Sequence, residues 1–214
     1  MLKVAVLISG RGSNMQSLVH ATQEKGFPAE IVCVVSNAPE AKGLAWAAAQ
    51  GIPAATINHK DFGGDREAFE RELHAKISST GAQLVCLAGF MRILSPWFVK
   101  EWEDRLVNIH PSLLPSFPGI HVHEQALDYG VKFSGCTVHY VRAEMDHGPI
   151  IIQAAVPVLA DDNADTLSAR ILESEHKIYP QALRWIAQGR VNVHEERCFI
   201  ADVKAPPSTM CPQD

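Results

Sequence analysis

Short, wholly apolar runs alternate with helical segments from the N-terminus onward, and this alternation narrows the possible folds more than any other feature. Val4 to Ile8, Ile31 to Val35 and Leu84 to Ala88 carry an apolar side chain at every position. A strand wetted on one face alternates polar and apolar residues, whereas a strand buried on both faces reads as an unbroken apolar run. Ala55 to Ile57 gives a further short strand. Ser13 or Asn14 is placed to cap a helix reaching about Glu24. Ala41 to Gln50 is an alanine-rich helix closed by Gly51 and Pro53. Arg66 to Ser78 is amphipathic, with Phe69, Leu73 and Ile77 on one side. The βαβαβαβ order predicts an α/β chain with a Rossmann-like, doubly wound, mainly parallel sheet and helices on both faces.

The second half is less regular. A short helix at Pro96 to Glu101 leads to a strand ending at Asn108, and Gln125 to Tyr129 is a short helical piece. Cys136 to Val141 and Ile150 to Val156 read as strands of a hairpin whose loop carries Asp146. Asp165 to Ala187 is a long helix with Leu167, Ile171, Ile178 and Leu183 on its apolar side and a kink expected at Pro180. The pattern thins after Gly189, and residues 205–214 read as a disordered end. The expected organisation is one domain over residues 1–190, with a phosphate-binding half to about residue 100, a catalytic half over about 101–190, and a C-terminal extension over 191–214.

A hydrophobic fraction of 47% with 20% charged residues is that of a globular chain, and a net charge of −5 argues against a nucleic-acid surface. It leaves room for a small anion, since a helix N-terminus binds phosphate whatever the net charge. The five cysteines are scattered with no CxxC pair, Cys33 and Cys86 lying inside apolar runs, which fits a reducing compartment. No apolar run approaches a membrane span and no signal peptide precedes the first strand, so the expected setting is cytoplasmic, without membrane or nucleic-acid partners.

Ser9-Gly10-Arg11-Gly12-Ser13-Asn14 joins the first strand to the first helix. Glycines there let the backbone approach a phosphate at free N–H groups. Met15 replaces the third glycine of the dinucleotide fingerprint, Ser36-Asn37-Ala38 replaces its acidic residue, and a Walker lysine is absent. The loop suits a single terminal phosphate better than NAD or ATP, and it is also what a plain strand-to-helix turn looks like.

Asn108-Ile109-His110-Pro111-Ser112-Leu113-Leu114-Pro115 follows the apolar pair Leu106-Val107. On a strand, Asn108 and His110 share one side. An amide donor beside an imidazole is what attack on a carbonyl needs, the amide holding an oxyanion and the ring moving a proton. Asp146 is a candidate to orient His110, although local sequence does not bring the two together. For metal, the candidate clusters are His121-Val122-His123 and His139 with His147; no HExxH motif or Cys/His set accompanies them, and no metal is expected. Ser112 lacks the G-x-S-x-G elbow of a serine hydrolase.

Taken in order, Gly10-x-Gly12-Ser13-Asn14, Ala88-Gly89-Phe90-Met91-Arg92-Ile93-Leu94, Asn108-x-His110-Pro111-Ser112-Leu113-Leu114-Pro115 and Asp146-x-Gly148-Pro149 resemble the folate-dependent formyltransferases. The resemblance runs from the N-terminus to about Gly189 and is strongest to the branch of purine (IMP) synthesis that acts on glycinamide ribonucleotide. It implies formyl transfer from 10-formyltetrahydrofolate, a cosubstrate, to the amine of N1-(5-phospho-D-ribosyl)glycinamide, by a monomer or homodimer without metal. By that match Asn108, His110 and Asp146 are catalytic, with Asp146 holding His110 protonated. Gly12, Ser13 and Asn14 hold the phosphate, and Glu175 the ribose hydroxyls. Arg66, Met91, Arg92, Ile93 and Leu94 border the folate, and Arg142, Ala143, Glu144, Met145 and Asp146 line its pteridine together with Asn108. Leu172 stands where some relatives carry a polar substrate contact.

Two relatives of that family remain as rivals. One formylates methionyl-tRNA and normally carries a further C-terminal domain, for which residues 190–214 are too few. The other hydrolyses formyltetrahydrofolate and usually carries an extra N-terminal regulatory domain, whereas here the first strand starts at the N-terminus. From another class, a non-catalytic folate- or nucleotide-binding module has no need of Asn108, His110 and Asp146 together.

Overall fold

The computed structural model describes residues 1–203. Seven strands form one sheet in the order β3-β2-β1-β4-β5-β6-β7. They are β1 (Leu2–Ile8), β2 (Ala29–Ser36), β3 (Ala54–Thr56), β4 (Leu84–Leu87), β5 (Leu106–His110), β6 (Phe133–Tyr140) and β7 (Ile150–Pro157). The first five run parallel, and β6 and β7 are antiparallel to their neighbours. The helices are α1 (Ser13–Gln23), α2 (Lys42–Ala49), α3 (Arg66–Ser79), α4 (Pro96–Glu101), α5 (Val122–Tyr129) and α6 (Ala164–Ala187). The mainly parallel α/β sheet read from the apolar runs is therefore present.

The apolar runs have a direct explanation in two cores, one on each face. Val4, Val6 and Ile8 join Cys86, Val107 and Val138 in a core shared with α1 and α6. Ala5 and Leu7 join Val85, Leu87 and Leu106 in a second core with Phe69 and Leu73 of α3 and Phe98 of α4. Successive residues of one strand point to opposite faces, so both sets must be apolar. Tyr179 of α6 is fully buried, and its hydroxyl lies between the carbonyls of Leu87 (2.9 Å) and Val107 (3.1 Å), tying the helix to β4 and β5.

Strands β1, β2 and β3 progress to one side, then β4 returns to the other side of β1. Such a reversal opens a crevice at the carboxyl ends of the strands. The loops after β1 and β4 both leave there, and they are stitched together: Ser9 N–H donates to the Gly89 carbonyl at 3.0 Å.

Several boundaries differ from the sequence reading. Helix α1 is capped by Gly12 in the left-handed region (φ 72°), without a side-chain cap, so Ser13 and Asn14 are its first residues rather than its cap. Strand β3 starts one residue early, β5 continues through His110, and α5 begins at Val122. Helix α6 runs through Pro180 to Ala187 as expected and starts one residue early, at Ala164. The segment after Gly189, left without elements by its thin pattern, forms a hairpin of β8 (Val191–His194) and β9 (Arg197–Ile200). Val191, Val193, Cys198 and Ile200 pack from this hairpin onto the first core. The end expected to be disordered, 205–214, lies outside the described residues.

The turn into α6 is fastened by charge. Arg170 reaches both carboxylate oxygens of Asp162 at 2.7 and 2.8 Å, and Asn163 and Thr166 form a capping box. The Arg170 hydrogen bonds, supported by the Leu159 N–H and the Thr166 hydroxyl, hold the Asp162 carboxyl well below the usual carboxylate range. A depressed carboxylate stabilises the fold above its unfolded value of roughly 3.9, and this is lost as pH falls through the folded value. Asp162→Asn is expected to lower the thermal midpoint at neutral pH, with the gap to wild type closing in acid. Parallel melting curves across that range are the check, and a gap independent of pH would reject the charge pair as its source.

Candidate active site

On β5 and β6 the second face changes character. Leu106 belongs to the second core, but the next residues on that side, Asn108 and His110, are polar. On β6, Cys136, Val138 and Tyr140 fill the first core, which leaves Thr137 and His139 on the same side as Asn108 and His110. The antiparallel register sets Asn108 opposite His139 and His110 opposite Thr137. A cleft of about 590 Å³ opens over these strand ends, lined by Asn108, His110, His139 and Asp146 together with the loop after β4 and the β6–β7 loop. Met91, Ile93, Ile120 and Met145 form an exposed apolar rim.

Asp146 reaches His110 although its loop leaves the sheet beside Leu106, to whose carbonyl Val141 N–H donates at 2.9 Å. The loop must therefore run back along β5. Asp146 itself is in the left-handed region (φ 55°), and Gly148 at φ 133° lies so close to the Tyr140 carbonyl that an added Cβ would sit 2.1 Å from its oxygen. Only glycine fits there. One Asp146 oxygen lies 3.5 Å from His110 Nδ1, and the other accepts the Gly119 N–H at 2.6 Å. His110 Nε2 faces the Phe117 carbonyl at 3.0 Å. A carbonyl only accepts, so Nε2 carries a hydrogen. Asp146 and the Phe117 carbonyl thus flank the two nitrogens of the ring.

His139 is treated in the opposite way. It is buried, its Nδ1 hydrogen goes to the Tyr140 carbonyl at 3.0 Å, and its bare Nε2 faces the Asn108 amide nitrogen at 3.4 Å. Burial pushes its pKa down to about 4, keeping it neutral. A neutral ring there accepts from Asn108 and fixes which way the amide points. The sequence reading treated His139 only as a metal candidate beside His147; His147 is exposed, with Nδ1 against the Met145 carbonyl. Among the described residues, no three His, Cys, Asp or Glu side chains converge to hold a metal ion. The signal for His139 was present as a polar residue on an apolar strand, but its meaning required the register with β5.

At the glycine loop, Asn14 Nδ2 donates to Glu175 at 2.7 Å, joining α1 to α6 across 161 positions. Burial raises the pKa of Glu175 and the Asn14 amide opposes that shift. The start of α1 has no side-chain cap and no acidic residue in its first turn. Ser9 Oγ donates to Asn37 at 2.5 Å and accepts the Met91 N–H at 2.7 Å, so the loops after β1, β2 and β4 meet at one hydroxyl. Among the residues expected to border folate, 91–94, 142, 143, 145, 146 and Asn108 line the cleft. Arg66 and Glu144 do not: Arg66 opens α3 at an exposed position and Glu144 points outward.

The formyl transferase family model matches residues 2–183. The chain belongs to the formyl transferase family. It is 44% identical to phosphoribosylglycinamide formyltransferase of Escherichia coli, with 96% of this chain and 97% of that protein covered. It is 51% identical to the trifunctional purine biosynthetic protein adenosine-3 of Drosophila melanogaster over 91% of this chain, but it spans only 14% of that longer protein. The crystal structure of glycinamide ribonucleotide transformylase 1 from Symbiobacterium toebii superposes with a TM-score of 0.91 at 43% identity, covering 94% of this chain and 95% of that one.

The buried neutral His139 has a measurable consequence. Between its ordinary value of 6.5 and about 4, the unfolded chain takes up a proton that folded His139 refuses, so stability declines as pH is lowered through that window. A shift of this size corresponds to on the order of 3 kcal/mol. Urea unfolding at about pH 7.5, 6 and 4.5 is expected to show a shallower pH slope for His139→Gln than for wild type. Equal slopes would place the pH dependence on other groups.

Proposed function

We propose that the chain is a phosphoribosylglycinamide formyltransferase, moving the formyl group of 10-formyltetrahydrofolate to the amine of N1-(5-phospho-D-ribosyl)glycinamide and releasing tetrahydrofolate, as a step of purine biosynthesis. The carrying observation is the convergence of Asn108, His110 and Asp146 from two elements in one cleft with an apolar rim. Near-full-length similarity to the named E. coli enzyme supports the choice of substrate.

The amine attacks the formyl carbon as the free base, and the carbonyl electrons move to oxygen. The Asn108 amide, oriented by His139, donates to that oxyanion. His110 adds a second donor and supplies the proton that lets the folate nitrogen leave as the C–N bond breaks. Asp146 keeps the imidazole oriented through Nδ1, so Nε2 delivers the proton. Engagement of substrate exchanges the Phe117 carbonyl for the reacting group at that nitrogen. The attacking nitrogen loses its extra proton to solvent or through a bridging water.

The phosphate meets the bare N–H groups at the start of α1, where the helix dipole favours negative charge. Gly12 allows that approach, and Ser13 adds its hydroxyl. Asn14 is already engaged by Glu175, so it acts by holding Glu175 toward the ribose hydroxyls as much as by touching phosphate. In the donor site, residues 91–94, Arg142, Ala143, Met145 and Asp146 border the folate.

The test is an absorbance assay of donor consumption with and without the ribonucleotide. Turnover is expected only when both are present, and His110→Ala or Asp146→Asn is expected to lower kcat by about 10²–10⁴-fold without loss of folding. Donor consumption without the ribonucleotide would instead mark a formyltetrahydrofolate hydrolase. Binding without turnover would mark a non-catalytic module.

A further inference from the structure

The β8–β9 hairpin lies beyond the region matched by the family model, yet its turn contacts Arg142, a residue that lines the cleft. Arg142 opens the β6–β7 loop four positions before Asp146 and lines the cleft. Its guanidinium grips Glu196 of the hairpin turn as a fork, Nε to Oε2 at 2.7 Å and Nη2 to Oε1 at 3.2 Å. The same Nη2 donates to Asp104 at 2.8 Å, in the turn between α4 and β5, and Nη1 donates to the Val141 carbonyl at 3.3 Å. One arginine therefore joins three segments that are remote in sequence.

Exposed ion pairs contribute little, because long side chains must be ordered and water screens the charges. Glu196 is itself 65% exposed, but the Arg142 side chain is only 16% exposed and its grip on Glu196 is bidentate, which sets this pair apart from a fully exposed one. The hairpin beneath Glu196 is itself fixed by Val191, Val193, Cys198 and Ile200 on the core. With most of its N–H groups committed to protein oxygens, Arg142 serves the loop as a tie rather than as a partner for an anionic ligand.

We infer that the C-terminal hairpin is a strut for the donor-binding loop, with Glu196 and Asp104 as positioning residues that act through Arg142 on the segment carrying Asp146. The proposal builds on the functional reading above for its kinetic consequence, while its structural consequence is independent of it.

The experiment compares wild type, Glu196→Ala, Glu196→Gln, Arg142→Met and the Arg142→Met/Glu196→Ala double variant as full chains. Backbone deuterium exchange of residues 141–149 is expected to quicken by about fivefold or more in Glu196→Ala, with β1 to β4 unchanged. KM for 10-formyltetrahydrofolate is expected to rise about three- to tenfold, KM for the ribonucleotide to stay within about twofold, and Glu196→Ala to add nothing to Arg142→Met. Glu196→Gln, which keeps one acceptor for the fork, is expected to fall between wild type and Glu196→Ala. Unchanged exchange at 141–149 overturns the strut whatever the catalytic result. Equal rises in both KM values with a lowered melting temperature overturn it in favour of general destabilisation. Wild-type protein that turns over no donor sinks the functional reading alone and leaves the exchange data to decide the strut.

Discussion

The reversal of strand direction between β5 and β6 is the constraint on which the site rests. Parallel neighbours are joined by crossovers that lay helices over the sheet, whereas an antiparallel pair needs none. Helices α3 and α4 cover the second face over the parallel strands. Among the described residues, no helix covers the face of β5 and β6 beyond Leu106, so polar side chains stand there beside a cleft. The same reversal sets His139 directly opposite Asn108, a pairing that a parallel β6 in another register would not give.

Two histidines in this small region receive opposite environments. His139 gives its one hydrogen to a backbone carbonyl and is left a bare nitrogen for Asn108. His110 gives its Nε2 hydrogen to the Phe117 carbonyl and has the Asp146 carboxylate 3.5 Å from Nδ1. One ring is built to accept and stay neutral, the other to donate. Such a division of roles between neighbouring titratable groups is how one site combines orientation with proton transfer. The backbone supports it with the left-handed Asp146 and the tight passage at Gly148, which return the loop to His110.

The parallel half of the fold was legible because its signal is local. Val4 to Ile8 is apolar throughout since its residues feed two cores, and that is visible in five letters of sequence. Asn108 and His110 were legible for the same reason, two positions apart on a strand. The tertiary links were not. Nothing near Asn14 signals that its amide is held by Glu175, and nothing near His139 signals Asn108, because both depend on how distant elements dock. The cap of α1 misled in a simpler way: Ser13 and Asn14 have capping side chains, but Gly12 adopts the left-handed conformation that starts the helix before them. The terminal hairpin escaped because its strands are four residues each and their apolar positions, such as Val191 and Val193, alternate with polar ones over too short a span to stand out.

Ser9 carries a consequence beyond its place in the fold. Its single hydroxyl is acceptor to the Met91 amide and donor to Asn37, so the loop at the start of α1 and the wall of the cleft cannot move independently. A displacement of the glycine loop is passed through Ser9 to the Met91 backbone, and so to the wall of the cleft. On the function proposed above, any coupling carried by this link is reciprocal, each substrate changing the affinity of the other by the same factor. The glycine loop and the wall of the cleft are in this sense pinned together at one hydroxyl.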